Sequence, residues 1–320
     1  MIIVTGGAGF IGSCLVKTLN GKGIDDILIV DTLGTGVKWR NLVGKRYTDL
    51  VHKTDFLDNL VDGEYGAEIE AIFHLGACTS LVERDADYLL ENNYRYSAAL
   101  AEYAEARNIR FLYASSAETY GAGEQGFSDE ICQGLKPRTM YGYSKQMFDE
   151  WILRNGLESK FLGIKFFHVF GPNEYHKGAM ASTVLHAFRS IRDTGAVDLH
   201  NINVQTINNA EKRDFIYVKD VCETLYEMFR YGEINGLYNL ASGTSHSTND
   251  LVHLTFAAMQ REVRIDKSAI APNAQATTPY SAQADITKLQ ATRIYTPCRP
   301  LQDTVQEYIQ EFLMRGEENY

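Results

Sequence analysis

No stretch of these 320 residues approaches the ~20 consecutive apolar residues of a bilayer-spanning helix, which argues against a membrane protein of that kind. Positive charge is also in short supply. Lys and Arg number 31 against 41 Asp and Glu, a net charge of −10. That balance opposes general binding to a phosphate backbone, and an anionic ligand would need local cations and helix N-termini. Cysteine is sparse and scattered: Cys14, Cys78, Cys132, Cys222 and Cys298 are odd in number and form no CxxC pair. They read as reduced, buried thiols of a cytoplasmic protein, with no disulfide framework and no metal site. The start, MIIVTGG, is apolar for only a few residues and lacks a basic region, so it does not read as a signal peptide. Internal repeats, low-complexity segments and a clear linker are likewise missing.

What is there has a rhythm. Apolar runs at Met1–Thr5, Ile27–Val30, Ala71–Leu75, Phe111–Ala114 and Phe161–Phe166 predict buried strands. Helical spacing fills the intervals, at Phe10–Leu19, Tyr88–Arg107 and Tyr141–Arg154. Alternating strands and helices imply a parallel sheet covered on both faces. After about Phe170 the pattern loosens. Ala181–Arg192 reads as a helix, while RDFIYVKDV (213–221) and GLYNLASG (236–243) read as strand-like. STNDLVHLTFAAMQ opens with helix-start residues, and PLQDTVQEYIQEFLMR is an amphipathic helix opening at Pro300.

The first strand is followed by TGGAGFIG, with Gly6, Gly7, Gly9 and Gly12. Glycines at this spacing allow a tight strand-to-helix turn and let the backbone approach a pyrophosphate at a helix N-terminus. Asp31 lies nineteen residues after Gly12, at the end of the second strand, where a carboxylate binds a ribose hydroxyl of NAD. It would repel the 2′-phosphate of NADP unless cations such as Lys38 and Lys53 compensate. The expected fold is α/β: a doubly wound parallel sheet (Rossmann) over residues 1–168, with later crossings near 213–240. A smaller C-terminal α/β substrate lobe occupies most of 169–320.

YGYSK places Tyr141 and Lys145 one helical turn apart on a shared face, while Tyr143 points elsewhere. A phenol titrates near pH ~10, so it needs a neighbouring ammonium to act as a base near neutrality. Of nineteen tyrosines, only Tyr141 has a lysine four residues on. Ser116, in SSAETYG, can hydrogen-bond both a substrate hydroxyl and the phenol, or it can simply cap a turn.

Together these segments resemble the extended short-chain dehydrogenase/reductases, over almost the whole chain. RDFIYVKDV and GLYNLASG, taken to lie in the second lobe, are similar to segments of that family's nucleotide-sugar enzymes. IFHLGACTS and above all HKGAMAS narrow the resemblance to a branch acting on an ADP-linked heptose. The resemblance implies epimerisation by transient oxidation at C6 with bound NADP, NAD being possible, in heptose supply for a lipopolysaccharide core. It implies that Ser116, Tyr141 and Lys145 are catalytic. Phe10, Ile11, Asp31, Thr32, Lys38, Lys53, Leu75, Gly76, Ala77, Cys78, Thr79, Asn92 and Val169 would line the cofactor beside Gly6, Gly9 and Gly12. Ala179, His186 and Arg213 would face the ADP-sugar, with Tyr280 a rough match to a sugar-binding tyrosine. A homo-oligomer, a pentamer, is implied as well. Three departures stand out. His168 replaces the usual Asn, where it can keep a hydrogen bond to the sugar or pack; Lys165 replaces the usual arginine. The stretch 200–211, which would touch the nucleotide, lacks the usual Glu-Gly-Ser, leaving the base open.

An epimerase of this kind needs two proton-handling groups, because the oxygen occupies different places in the two epimers. Tyr141 serves one, and Lys177, in EYHKGAMAS, is the candidate for the other, also beside the cofactor. Three alternatives remain. A 4,6-dehydratase would carry an Asp-Glu pair where this chain has Ala117 and Glu118. A uridine-linked hexose 4-epimerase would leave Lys177 without a task, and a non-catalytic nicotinamide-binding regulator would not need the Tyr–Lys pair.

Overall fold

A computed structural model describes residues 1–65, 68–199, 212–266 and 281–320. In chain order the first strands are β1 (Ile2–Thr5), β2 (Ile27–Asp31), β3 (Asp49–His52), β4 (Ala71–His74), β5 (Arg110–Ser116) and β6 (Leu162–Phe166). Then come β7 (His168–Phe170), β8 (Val197–Asp198), β9 (Lys212–Tyr217), β10 (Gly236–Leu240), β11 (Ser245–Ser247), β12 (Ile265–Asp266) and β13 (Ser281–Ala282). The helices are α1 (Phe10–Gly21), α2 (Lys53–Val61), α3 (Ala86–Leu89), α4 (Tyr96–Ala106), α5 (Met140–Arg154) and α6 (Thr183–Thr194). They continue as α7 (Val218–Arg230), α8 (Thr248–Ala258), α9 (Thr287–Gln290) and α10 (Leu301–Glu307).

Seven parallel strands form the main sheet in the order β10-β6-β5-β4-β1-β2-β3. This is the doubly wound arrangement expected from the sequence. Most residues of its inner strands are apolar on both sides because helices cover both faces. Leu15, Leu19, Val221 and Leu225 of α1 and α7 close one core with Val4 and Ile29. Phe56, Leu100, Phe148 and Ile152 of α2, α4 and α5 close the other with Ile3 and Phe111. Strand order reverses between β1 and β4, which opens a crevice at their carboxyl ends, where such sheets bind ligands.

The second lobe packs α6, α8 and α10 around Phe188, Leu251 and Val305, beside a small sheet in which β9 pairs with β7, β11 and β13. Helix α8 opens with a reciprocal capping box between Ser247 and Asp250. No helix among the described residues is long and apolar enough to cross a membrane.

Three sequence expectations are corrected. RDFIYVKDV is not one strand: β9 ends at Tyr217, and Val218 begins α7, whose buried Val218, Val221, Cys222 and Leu225 recur at helical spacing. GLYNLASG, likened to a second-lobe segment, instead supplies β10, which hydrogen-bonds β6 at the edge of the main sheet and lies within the later crossings expected near 213–240. Tyr88–Arg107 is not a uniform helix, because a π-turn over Leu90–Arg95 separates α3 from α4. The stretch 200–211 and Tyr280 lie outside the described residues.

Candidate active site

The glycines after β1 are held to their type by close approach. A Cβ on Gly12 would sit 2.2 Å from the Gly6 carbonyl oxygen. Gly6 has φ +69°, and a Cβ there would sit 2.7 Å from the Gly76 backbone. The N-terminus of α1 therefore stands open toward the crevice, a cradle that fits a dinucleotide pyrophosphate. Gly12→Ala should lose retention of bound dinucleotide and cost ~1–3 kcal/mol of stability through overpacking, read from cofactor content after purification and a denaturant midpoint.

Asp31, at the end of β2, accepts from the Ala8 amide at 2.8 Å and pairs with Lys38 Nζ at 2.6 Å. It thus braces the glycine loop while its charge is offset by a lysine. Across the crevice, Asn93 binds both backbone groups of Cys78, at 2.8 and 2.9 Å, and donates to Ser144 of α5 at 3.0 Å. Asn93 sits in the π-turn, buried, and fixes the 75–79 loop from beneath.

Helix α5 begins at Thr139, whose hydroxyl accepts from the Gly142 amide at 3.0 Å. Gly142 lets this end press against the turn after β5, where an added Cβ would lie 2.7 Å from the Glu118 carbonyl. That contact brings Tyr141 beside Ser116. Burial pushes the Tyr141 phenol up to about 12, with a Ser116 hydrogen bond pulling the other way. Lys145 is buried, donates to the Ala114 carbonyl at 2.9 Å, and is held down to about 8 by burial, so it stays mostly protonated near neutral pH. Tyr143 is exposed, as its helical position requires.

The segment from 171 to 182 is not a loose loop. Glu174 is buried, and its carboxylate accepts from the Gly171 amide and from both the amide and hydroxyl of Ser182. Asn173, with φ +75°, donates to Ser13 Oγ at 2.7 Å, and its carbonyl accepts from Asn41 Nδ2 at 3.2 Å. The same Asn41 nitrogen donates to the Ala8 carbonyl at 3.0 Å. Residues 318 and 320 close over this turn: the Asn173 amide donates to the Glu318 carbonyl at 2.9 Å, and Tyr320 N to Asn173 Oδ1 at 2.6 Å. Lys177 emerges from this scaffold into the crevice, 5.1 Å from the Phe10 ring centre. Burial lowers its proton affinity, opposed by the Glu174 charge.

One cavity of about 620 Å³ collects these groups. Its wall includes Gly6, Gly9, Phe10, Ile11, Gly12, Asp31, Lys38 and the loop Leu75, Gly76, Ala77, Cys78 and Thr79. It also includes Ser116, Tyr141, Lys145, His168, Val169, Lys177, Ala179 and Arg213. His168 Nε2 lies 2.8 Å from Arg213 Nη1, and burial, with the Arg213 charge behind it, holds the imidazole neutral. Thr32, Lys53, Asn92 and His186 are not on this wall. Lys53 instead donates to Asn92 Oδ1 and stands over the Tyr88 ring. Sequence patterns single out none of Asn41, Asn93, Asn173 and Glu174, and mark Glu118 only as half of the acid pair a dehydratase would carry. Glu118 lines the cavity, its carboxyl raised by burial.

A glycine cradle at the switch point, beside Ser116, Tyr141 and Lys145, fits the class of dinucleotide-dependent enzymes. The chain belongs to the NAD dependent epimerase/dehydratase family, whose model matches residues 2–241. It is 42% identical over 316 residues to an ADP-L-glycero-D-manno-heptose-6-epimerase of Nitratidesulfovibrio vulgaris (strain DP4), covering 98% of both chains. A Fusobacterium nucleatum protein of the same name is 39% identical over 332 residues, covering both chains fully. Among solved structures, the Helicobacter pylori ADP-L-glycero-D-manno-heptose-6-epimerase superposes with TM-score 0.81 at 23% identity, over 97% of this chain and 95% of that one. A UDP-N-acetylglucosamine 4-epimerase from Methanobrevibacter ruminantium superposes with TM-score 0.79 at 22% identity, over 98% of each. At such identities the structural likeness speaks for the fold alone.

Proposed function

We propose that this chain interconverts ADP-D-glycero-D-manno-heptose and ADP-L-glycero-D-manno-heptose by transient oxidation at C6. The observation that carries this reading is the presence of Tyr141, Lys145 and Lys177 on one cavity wall with the glycine cradle. The names of full-length relatives point to the same substrate. When bound in this cradle, the dinucleotide would supply a hydride acceptor and donor.

Tyr141 takes the hydroxyl proton of one epimer, with Ser116 holding the oxygen and the Lys145 ammonium favouring the phenolate. The sugar end then turns, and Lys177 handles the proton of the oxygen in its second place. Its partial desolvation makes it a better acid than a free lysine. Arg213 and His168 lie on the same wall to receive the sugar phosphate and hydroxyls. The deciding experiment incubates purified protein with each ADP-heptose epimer and no added cofactor, following C6 stereochemistry by NMR. Conversion in both directions supports the reading, and its absence with cofactor demonstrably bound refutes it.

We also read the cofactor as NADP. What supports this is the pairing of Lys38 with Asp31, which leaves a cation to offset the carboxylate against a 2′-phosphate. Stripped protein should bind NADP more tightly than NAD, and Lys38→Ala should shift that ratio ~10-fold toward NAD, about 1.4 kcal/mol. Calorimetric titration with both cofactors checks this, and an unchanged ratio would mean that Lys38 does not serve the phosphate. A cytoplasmic homo-oligomer supplying heptose for a lipopolysaccharide core completes the reading, its assembly measurable by light scattering.

A further inference from the structure

Behind the cavity, the main sheet holds charge where apolar side chains are the rule. Ser115, Lys165 and Asn239 stand in register on β5, β6 and β10, all buried, in a sheet covered on both faces. Lys165 Nζ lies 3.1 Å from Asp149 Oδ2, and both side chains are fully buried. The same oxygen accepts from Ser115 Oγ at 2.6 Å. Lys165 also donates to Thr119 Oγ1 and stands 4.6 Å from the centre of the Tyr120 ring. Asp149 and Lys165 are not on the cavity wall, so neither meets substrate.

Stability does not account for this arrangement. Burying two charges costs about what their attraction returns, and apolar residues of the same shape usually serve a core as well or better. The neighbours of the pair suggest a different account. Asp149 lies one helical turn beyond Lys145 on α5, sharing its face. Ser115, bound to Asp149, precedes Ser116 and follows Ala114, whose carbonyl accepts from Lys145. One short chain of bonds thus backs Ser116, Tyr141 and Lys145 together.

We propose that Asp149 and Lys165 are positioning residues for proton transfer: a buried ion pair, out of reach of substrate, that fixes how Lys145 and Tyr141 are held and what field they feel. The inference rests on the reading of Tyr141 and Lys145 as the acid–base pair. The signs follow from Coulomb's law. Asp149 favours the charged form of Lys145 and opposes ionisation of Tyr141, while Lys165, alongside Asp149, offsets both effects. Other groups facing this cluster are His74 from β4, Cys78 from the following loop, Tyr113 from β5, and Glu118 and Tyr120 from the turn after it. Cys132 from the loop before α5 and Glu150 of α5 complete the surroundings.

The test uses the full chain with bound NADP and ¹³Cζ-labelled tyrosine, with the Tyr141 resonance assigned by its loss in Tyr141→Phe. Lys165→Met leaves Asp149 uncompensated and should move the Tyr141 titration midpoint upward; Asp149→Asn should move it downward, each by ~1 pH unit. Lys165→Arg should restore the wild-type midpoint. The double variant Asp149→Asn/Lys165→Met carries no buried charge and secures the test if either single variant fails to fold. It should titrate near wild type yet lose ~10-fold in kcat at unchanged KM, because orientation is lost. Midpoints that do not move, or move in the same direction, overturn the proposal, as does a double variant with wild-type kcat. If Tyr141→Phe itself keeps wild-type turnover, the acid–base reading fails first. If Tyr141→Phe is inactive and the network variants behave as wild type, only the proposal fails.

Discussion

Tyr141→Phe should fold, retain its dinucleotide and lose turnover by ~10²–10⁴-fold. The ring fills the same buried space at the start of α5, so packing against the Ser116–Glu118 turn is kept. Only the hydroxyl goes, and with it the atom that, on the proposed reading, exchanges a proton with the substrate oxygen. The pH dependence has a definite sign. Lys145 is held at about 8 by burial, so its ammonium, which favours the phenolate, is present below that pH and lost above it. Wild-type turnover should therefore decline on the alkaline side, whereas the residual activity of Tyr141→Phe should not follow Lys145. Turnover of each epimer across pH 6 to ~10, with cofactor content measured in parallel, checks both statements. Near wild-type rates from both epimers would remove Tyr141 from the chemistry.

Lys177→Met should divide the reaction in two. Methionine keeps much of the side-chain length, and the scaffold made by Glu174 and Asn173 does not depend on the ammonium. Net epimerisation should fall by ~10²–10⁴-fold, while single-turnover cofactor reduction survives from one epimer. Tyr141→Phe should show the opposite preference. A lysine that merely binds phosphate would instead weaken both epimers alike, and saturating substrate would restore turnover. Single-turnover absorbance traces with each epimer at saturation separate these cases. Full activity at saturation would end the two-base assignment.

How much of this was legible follows from the range of the interactions. The glycine loop, Asp31 and the Tyr141–Lys145 pair were readable because their logic is local: a turn, a strand end, a single helical turn. The alternating apolar runs foretold the parallel sheet for the same reason. A crossing near 213–240 was legible but the pairing of β10 was not, because its partner β6 lies some seventy residues earlier and nothing in GLYNL names that partner. RDFIYVKDV hid a helix start because Val218 suits a strand and a helix alike. The register shift that brings Asn93 under the 75–79 loop arises from a π-turn, which has no composition of its own. Nothing in the residues next to Glu174 and Asp149 in sequence marks them as buried. They are buried because their partners, Ser182 in one case and Ser115 with Lys165 in the other, arrive through tertiary folding.

The bond from Asn41 to both Ala8 and Asn173 has a kinematic consequence. Lys177 follows β7 and belongs to no strand of the main sheet, yet its turn is pinned to the glycine loop. If the two lobes breathe against each other as substrate enters and leaves, Lys177 moves in the reference frame of the dinucleotide, as does Tyr141 on α5. On the proposed reading, the two proton-handling groups then keep a fixed relation to the glycine cradle. On that same reading, the freedom to invert a stereocentre would reside in a rotating bond of the substrate itself, and the two groups need not trade places between half-reactions.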